Sequence, residues 1–81
     1  MRVLGIDPGT LRLGYAVVDA APRPQVEDYG VVVLPGTMPL EQRLYQLYTR
    51  VLNFISVFSP AAIAVEAPFV GRGERRFVGP A

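Results

Sequence analysis

The sequence predicts an α/β fold, with a three-stranded antiparallel meander, then one helix, then a fourth strand parallel to the first. Three observations carry this. Two short apolar runs, Val3 to Ile6 and Ala61 to Val65, each close on a carboxylate, Asp7 and Glu66. Between them, apolar residues recur at helical spacing from Leu40 to Phe58. The segment from Leu13 to Leu34 holds two further β-branched, aliphatic stretches separated by a proline-rich break.

Composition sets the bounds. The 81 residues suffice for one small domain, a size at which about 60% of the unfolded chain's surface becomes buried. At 51% hydrophobic and 19% charged, the chain is too apolar for a disordered tail. Its longest apolar runs, such as Val31 to Leu34, fall far short of a membrane span. No basic segment followed by an apolar core opens the chain, so no secretory signal is expected and the cytoplasm is the expected compartment. Cysteine and histidine are both absent. Any metal must then be held by oxygen ligands, which points to magnesium, with manganese possible, and away from zinc. The net charge of +1 is uninformative, but every basic residue is arginine, and Arg72, Arg75 and Arg76 crowd the last ten positions. Arginine suits bidentate phosphate contacts. A solvated basic tail accounts for the same residues equally well.

Each element has a local reason. Val3 to Ile6 is apolar without alternation, as a strand buried on both faces is. Pro8-Gly9 then breaks it. Asp7 has two readings: it starts that turn by accepting backbone N–H bonds, or it is a chemical group at a strand's carboxyl end, where sites in such sheets gather. The second strand, Leu13 to Asp19, has small residues at Gly14 and Ala16, which permit close approach of another element. Ala20 to Gln25 reads as a loop, and a third strand runs from about Val26 to Leu34 before Pro35-Gly36. Leu40, Leu44, Leu47, Tyr48, Val51, Leu52, Ile55 and Phe58 form the helix's apolar stripe. Thr37 is the expected N-cap, Pro39 falls where a first turn tolerates proline, and Ser59-Pro60 closes the helix. The aromatics on this helix read as packing groups. The fourth strand, if it neighbours the first in parallel, brings Glu66 beside Asp7 at a strand spacing of about 4.8 Å. Two carboxylates so placed repel unless a proton or cation lies between them. Beyond Glu66 the sequence loses period, and residues 71–81 are expected to be a flexible, basic, glycine-rich tail.

An ordered set of motifs resembles one family. Arg2-Val3-Leu4-Gly5-Ile6-Asp7-Pro8-Gly9, Gly14-Tyr15-Ala16-Val17-Val18-Asp19, Tyr29-Gly30, Pro39-Leu40-Glu41-Gln42-Arg43-Leu44 and Ala64-Val65-Glu66 with Phe69 are similar to RuvC, the bacterial Holliday junction resolvase. The likeness spans residues 1–70. It implies a ribonuclease H-like fold, here its N-terminal portion, and a magnesium-dependent endonuclease that cuts four-way DNA junctions in recombination and repair. It also implies a homodimer that works with a branch-migration helicase complex. Asp7 and Glu66 match the first two of the family's four acidic metal ligands, and Phe69 matches an aromatic near the junction centre. A packed loop anchor remains an equal reading of Phe69.

The departures are as informative. The family continues with a helix, a fifth strand and a helix bearing two further acids, whereas the only acid after Glu66 here is Glu74. The chain therefore resembles the first half of a resolvase and is expected to be inactive or very weak by itself. Two alternatives stay open. One is a nucleotide-binding module of the actin-like and sugar-kinase type, which opens with a similar acidic turn. The other is a non-catalytic junction-binding protein of the same fold.

Overall fold

The computed structural model describes residues 1–66 and the strand at 75–79. Its elements are β1 (Arg2–Pro8), β2 (Arg12–Asp19), β3 (Gln25–Val33), α1 (Leu40–Phe58), β4 (Ala62–Glu66) and β5 (Arg75–Gly79). They form one sheet in the order β3-β2-β1-β4-β5. The meander is antiparallel throughout, with Leu4 opposite Val17 and Leu13 opposite Val32. β4 pairs with β1 in parallel, Leu4 against Ile63 and Ile6 against Val65. The expected arrangement of four strands and one helix is therefore present, and the truncated ribonuclease H-like topology with it.

β5 departs from expectation. Residues 71–81 read as a tail without regular structure, yet Arg75–Gly79 is a strand paired antiparallel with β4. Residues 67–74 are the connection, and a link of that length cannot make the crossover of a dozen or more residues that a parallel partner requires. An antiparallel return satisfies the edge of β4 at little entropic cost. Phe69 and Arg72, both singled out in the sequence, lie outside the described residues.

The period of two decides which face is buried. Leu4 and Ile6 of β1, Leu13, Tyr15 and Val17 of β2, Val32 of β3, and Ile63 and Val65 of β4 point to the same side, where α1 lies. Leu4 and Val17 are fully buried there, against Leu47 and Phe54 of the helix. The stripe is covered only in part: Leu47 is buried and Val51, Ile55 and Phe58 are half-buried, while Leu44, Tyr48 and Leu52 stand exposed along one flank.

The cap at Thr37 is not used. α1 begins at Leu40 with Pro39 at the N-cap, in an extended conformation and with no capping side chain. The cause is local, because a residue preceding proline is driven out of the helical region, which bars Met38 from the first turn. The C-terminus ends as expected. Ser59 adopts a left-handed conformation (φ 45°) and its N–H donates to the Ile55 carbonyl. Arg2 secures that end, donating to the Phe58 carbonyl at 2.6 Å and pairing with Glu27 at 2.7 Å.

Candidate functional site

Asp7 and Glu66 stand at the carboxyl ends of the adjacent parallel strands β1 and β4. The register places Ile6 opposite Val65, so the next residue on each strand is the acid. Alternation then turns both away from α1, onto the face that no described helix covers. Asp7 is exposed and Glu66 half-buried. Both line one open trough of about 500 Å³, floored by Gly5, Gly14 and Ala64 and walled by Tyr29 and Val31. The ion pairs among the described residues are Met1–Asp19 and Arg2–Glu27, so neither Asp7 nor Glu66 is neutralised by a described cation. Nor does any described group donate a hydrogen bond to either carboxylate.

The donor set suits a hard divalent cation. Magnesium is commonly held through one or two carboxylates and keeps several of its waters. Asp7 and Glu66 form a pair and no more: no cluster of three or more acidic, histidine or cysteine side chains exists among the described residues. Such a pair orients an ion from one side and leaves most of its coordination sphere open.

The turn beyond Asp7 is held by two contacts. Gly9 passes so close to Arg12 that a Cβ on it would lie 2.7 Å from the Arg12 carbonyl oxygen, a distance only glycine tolerates. Arg43, from the first turns of α1, donates through Nη1 to the Thr10 carbonyl at 3.0 Å and through Nε to the Met38 carbonyl at 2.9 Å. One guanidinium thus ties the turn after Asp7 to the helix start. Sequence reasoning gave Arg43 no role. The signal was its place among the family-like motif residues 39–44, on the helix turn that faces the β1–β2 connection.

Under the sheet, Tyr15 stacks on Phe54 with ring centroids 4.2 Å apart, and its hydroxyl donates to Asp28 at 3.2 Å. Desolvation, then the neighbouring Asp28 charge and that hydrogen bond, raise the Tyr15 phenol above its ordinary value. A Cβ on Gly30 would meet the Tyr15 ring at 3.1 Å, so this glycine is what admits the ring. Arg75 and Arg76 sit in β5, opposite Glu66 and Val65 in register; their side chains lie outside the described residues.

A family model described as crossover junction endodeoxyribonuclease RuvC matches residues 3–79. This chain belongs to the RuvC family. RuvC of Syntrophomonas wolfei is 37% identical over 79 residues, which are 96% of this chain and 46% of that one. RuvC of Leifsonia xyli is 40% identical over 81 residues, covering 98% of this chain and 39% of its own. Among solved structures, RuvC of Thermus thermophilus superposes with a TM-score of 0.75 at 36% identity, over 89% of this chain and 46% of that one. The Thermus thermophilus RuvC in complex with a Holliday junction substrate gives a TM-score of 0.77 at 36% identity, over 83% and 42% of the two chains. The chain spans less than half the length of these RuvC relatives.

Proposed function

We propose that this chain is the N-terminal, metal-holding portion of a RuvC-type endonuclease that resolves four-way DNA junctions in recombination and repair. The observation that carries the reading is the convergence of Asp7 and Glu66 at neighbouring parallel strand ends. In this role they act as metal ligands and so as catalytic groups, holding magnesium, or manganese in its place, at the mouth of the trough. When bound, such an ion activates water and offsets the charge that develops on a phosphodiester. Asp7 and Glu66 contribute two anionic oxygen donors from one side. Arg43 and Gly9 keep the turn after Asp7 in place. Phe69, Arg72, Arg75 and Arg76 follow the acids in sequence and would meet junction DNA, the aromatic by stacking and the arginines at phosphates.

Half a ligand set does not make a resolvase. The chain by itself cuts junctions very weakly or not at all, and full activity belongs to a homodimer of complete chains working with its helicase partners in the bacterial cytoplasm. Among the described residues no helix is long and apolar enough to cross a membrane.

The test separates metal binding from cutting. Manganese binding, followed by paramagnetic broadening of the Gly5 to Gly9 and Glu66 amide signals, is expected for the parent. It should weaken at least about tenfold in Asp7→Asn and in Glu66→Gln, because a hard cation loses one of its two charged donors. A synthetic four-way junction with magnesium should remain uncut. Unchanged manganese broadening in both variants would remove the metal assignment, and efficient symmetric cleavage by the 81-residue chain would refute its incompleteness. ATP binding without junction binding would move the chain to the nucleotide-binding reading instead.

A further inference from the structure

β3 is an outermost strand of the sheet, so one of its edges pairs with β2 and the other with no described strand. Two hydrogen bonds fix which groups lie on that open edge. The Leu34 N–H turns inward to the Leu11 carbonyl at 2.9 Å. The Tyr29 N–H instead donates to the side chain of its own neighbour, Asp28, at 2.9 Å and so points outward. The two agree, because backbone groups alternate in direction along a strand and these residues are an odd number apart. The N–H and C=O of Val31 and Val33 therefore point outward as those of Tyr29 do, while those of Gly30 and Val32 turn to β2.

The edge is blunted along half its length only. A bulge leaves Glu27 without a partner on β2, and Asp28 caps the Tyr29 donor. Both features keep a further strand away. From Gly30 to Leu34 there is neither a charge nor a proline, and Val31 and Val33 are 60% and 63% exposed. Pro35, which has no N–H, ends the open stretch. These bounds select one antiparallel self-pairing. With a two-fold axis at Val32, Val31 of each copy faces Val33 of the other, and four N–H···O=C bonds form from groups that β2 does not use. An axis at Val31 needs the Tyr29 donor that Asp28 holds, and an axis at Val33 sets Val31 against Pro35. At Val32 the facing side chains are valines, a favourable cross-strand pair. Glu27 and Asp28 of neither copy then lie opposite a like charge.

We propose that the open half of the β3 edge is a self-association site, which takes the same segment of a second copy in antiparallel register about Val32. The two sheets join edge to edge, with both troughs on one face of the continuous sheet. Three paired residues a side are far fewer than the roughly 20–30 of a standard interface, so the dimer is weak and forms toward millimolar concentration. It needs neither metal nor DNA, and with both omitted its failure is told apart from failure of the nuclease reading.

The experiment follows the full 81-residue chain by NMR as its concentration rises from micromolar to millimolar. At about ten times the dimer Kd, exchange of the Val31 and Val33 amide hydrogens should slow roughly fivefold, the inverse of the monomer fraction left. A sample mixed from two isotopic labellings should show an intermolecular contact between the Val32 Hα atoms, whose Cα atoms stand about 4.5 Å apart in this register. Val33→Pro removes an outward donor that β2 does not use, so the strand tolerates it. Because symmetry deletes that bond twice, association should weaken about tenfold or more. Leu52→Glu, on the exposed flank of α1, should leave the Val32 contact in place. Should Val33→Pro not fold, the exchange rates and the Val32 contact of the parent decide. Unslowed exchange of Val31 and Val33 at millimolar concentration overturns the proposal. So does slowed exchange without the Val32 contact, which would put another strand on the edge. Association that Leu52→Glu abolishes and a folded Val33→Pro retains overturns it as well.

Discussion

Tyr15 and Asp19 show opposite consequences of titration within one strand. Burial and the Asp28 carboxylate favour the neutral phenol of Tyr15. A raised acid group contributes stability that is complete below its unfolded value, near 10, and is lost as pH rises through the folded one. Tyr15→Phe keeps the ring on Phe54 and gives up the hydrogen bond, which costs about 0.5–1.5 kcal/mol at pH 7. Urea midpoints measured from pH 7 to about pH 11 should converge as the parent loses its advantage. A gap that widens with pH would contradict the assignment. Asp19 behaves in the other sense. The Ala21 N–H and the terminal ammonium, bonded to it at 3.2 and 3.3 Å, lower its value. Its contribution is therefore present at neutral pH and lost as pH falls below the ordinary carboxylate range. Being solvent-exposed, it contributes little.

At the scale of elements, α1 is positioned at both ends by arginine, Arg43 at its start and Arg2 at its finish. Arg43→Met keeps the apolar stem and deletes two charge-assisted hydrogen bonds, an expected loss of about 1.5–3 kcal/mol in urea unfolding. Because Thr10 is three residues from Asp7, manganese broadening at Gly5 to Gly9 should weaken as well. Broadening equal to the parent's in a folded Arg43→Met chain would reduce Arg43 to a helix anchor. Unbroken apolar runs made β1 and β4 legible, β-branched stretches made β2 and β3 so, and the 3.6-residue period put Leu47 and its neighbours on the buried face of the helix. The start of α1 was not legible from Thr37, because the conformational restriction that Pro39 imposes on Met38 outweighs a cap. β5 was not legible either. Its five residues include only Phe77 and Val78 as large apolar groups, and what makes it a strand is the unpaired edge of β4, a tertiary fact.

For the whole molecule, the sequence carried the pairing of Asp7 with Glu66 because each ends an apolar run, and parallel topology did the rest. It could not carry the degree of cover, since a helical stripe reports an apolar face and not how much of it finds a partner. Leu44 and Tyr48 border a second cavity of about 780 Å³ beside the Pro8-Gly9-Thr10 turn, Leu52 is exposed on the same helix, and the open sheet face lies on the other side. Apolar surface exposed on this scale promotes association. Sedimentation equilibrium should therefore show a weight-average mass that rises with concentration above the 8.8 kDa monomer. A single monomeric mass up to millimolar concentration, with a sharp unfolding transition, would contradict this.

The parallel pairing of β1 with β4 also sets an order of events during synthesis. Val3 waits for Ala62 and Ile6 for Val65, 59 residues later in both cases (62 − 3 and 65 − 6). At about 5–20 residues per second, β1 waits roughly 3–12 s for β4, and once β2 has joined one edge the other remains a bare row of peptide groups. Throughout that interval Asp7 has no Glu66 beside it. A strand so exposed is a template for any neighbouring nascent chain, which makes the aliphatic run from Val3 to Ile6 a point of vulnerability to co-translational misassembly.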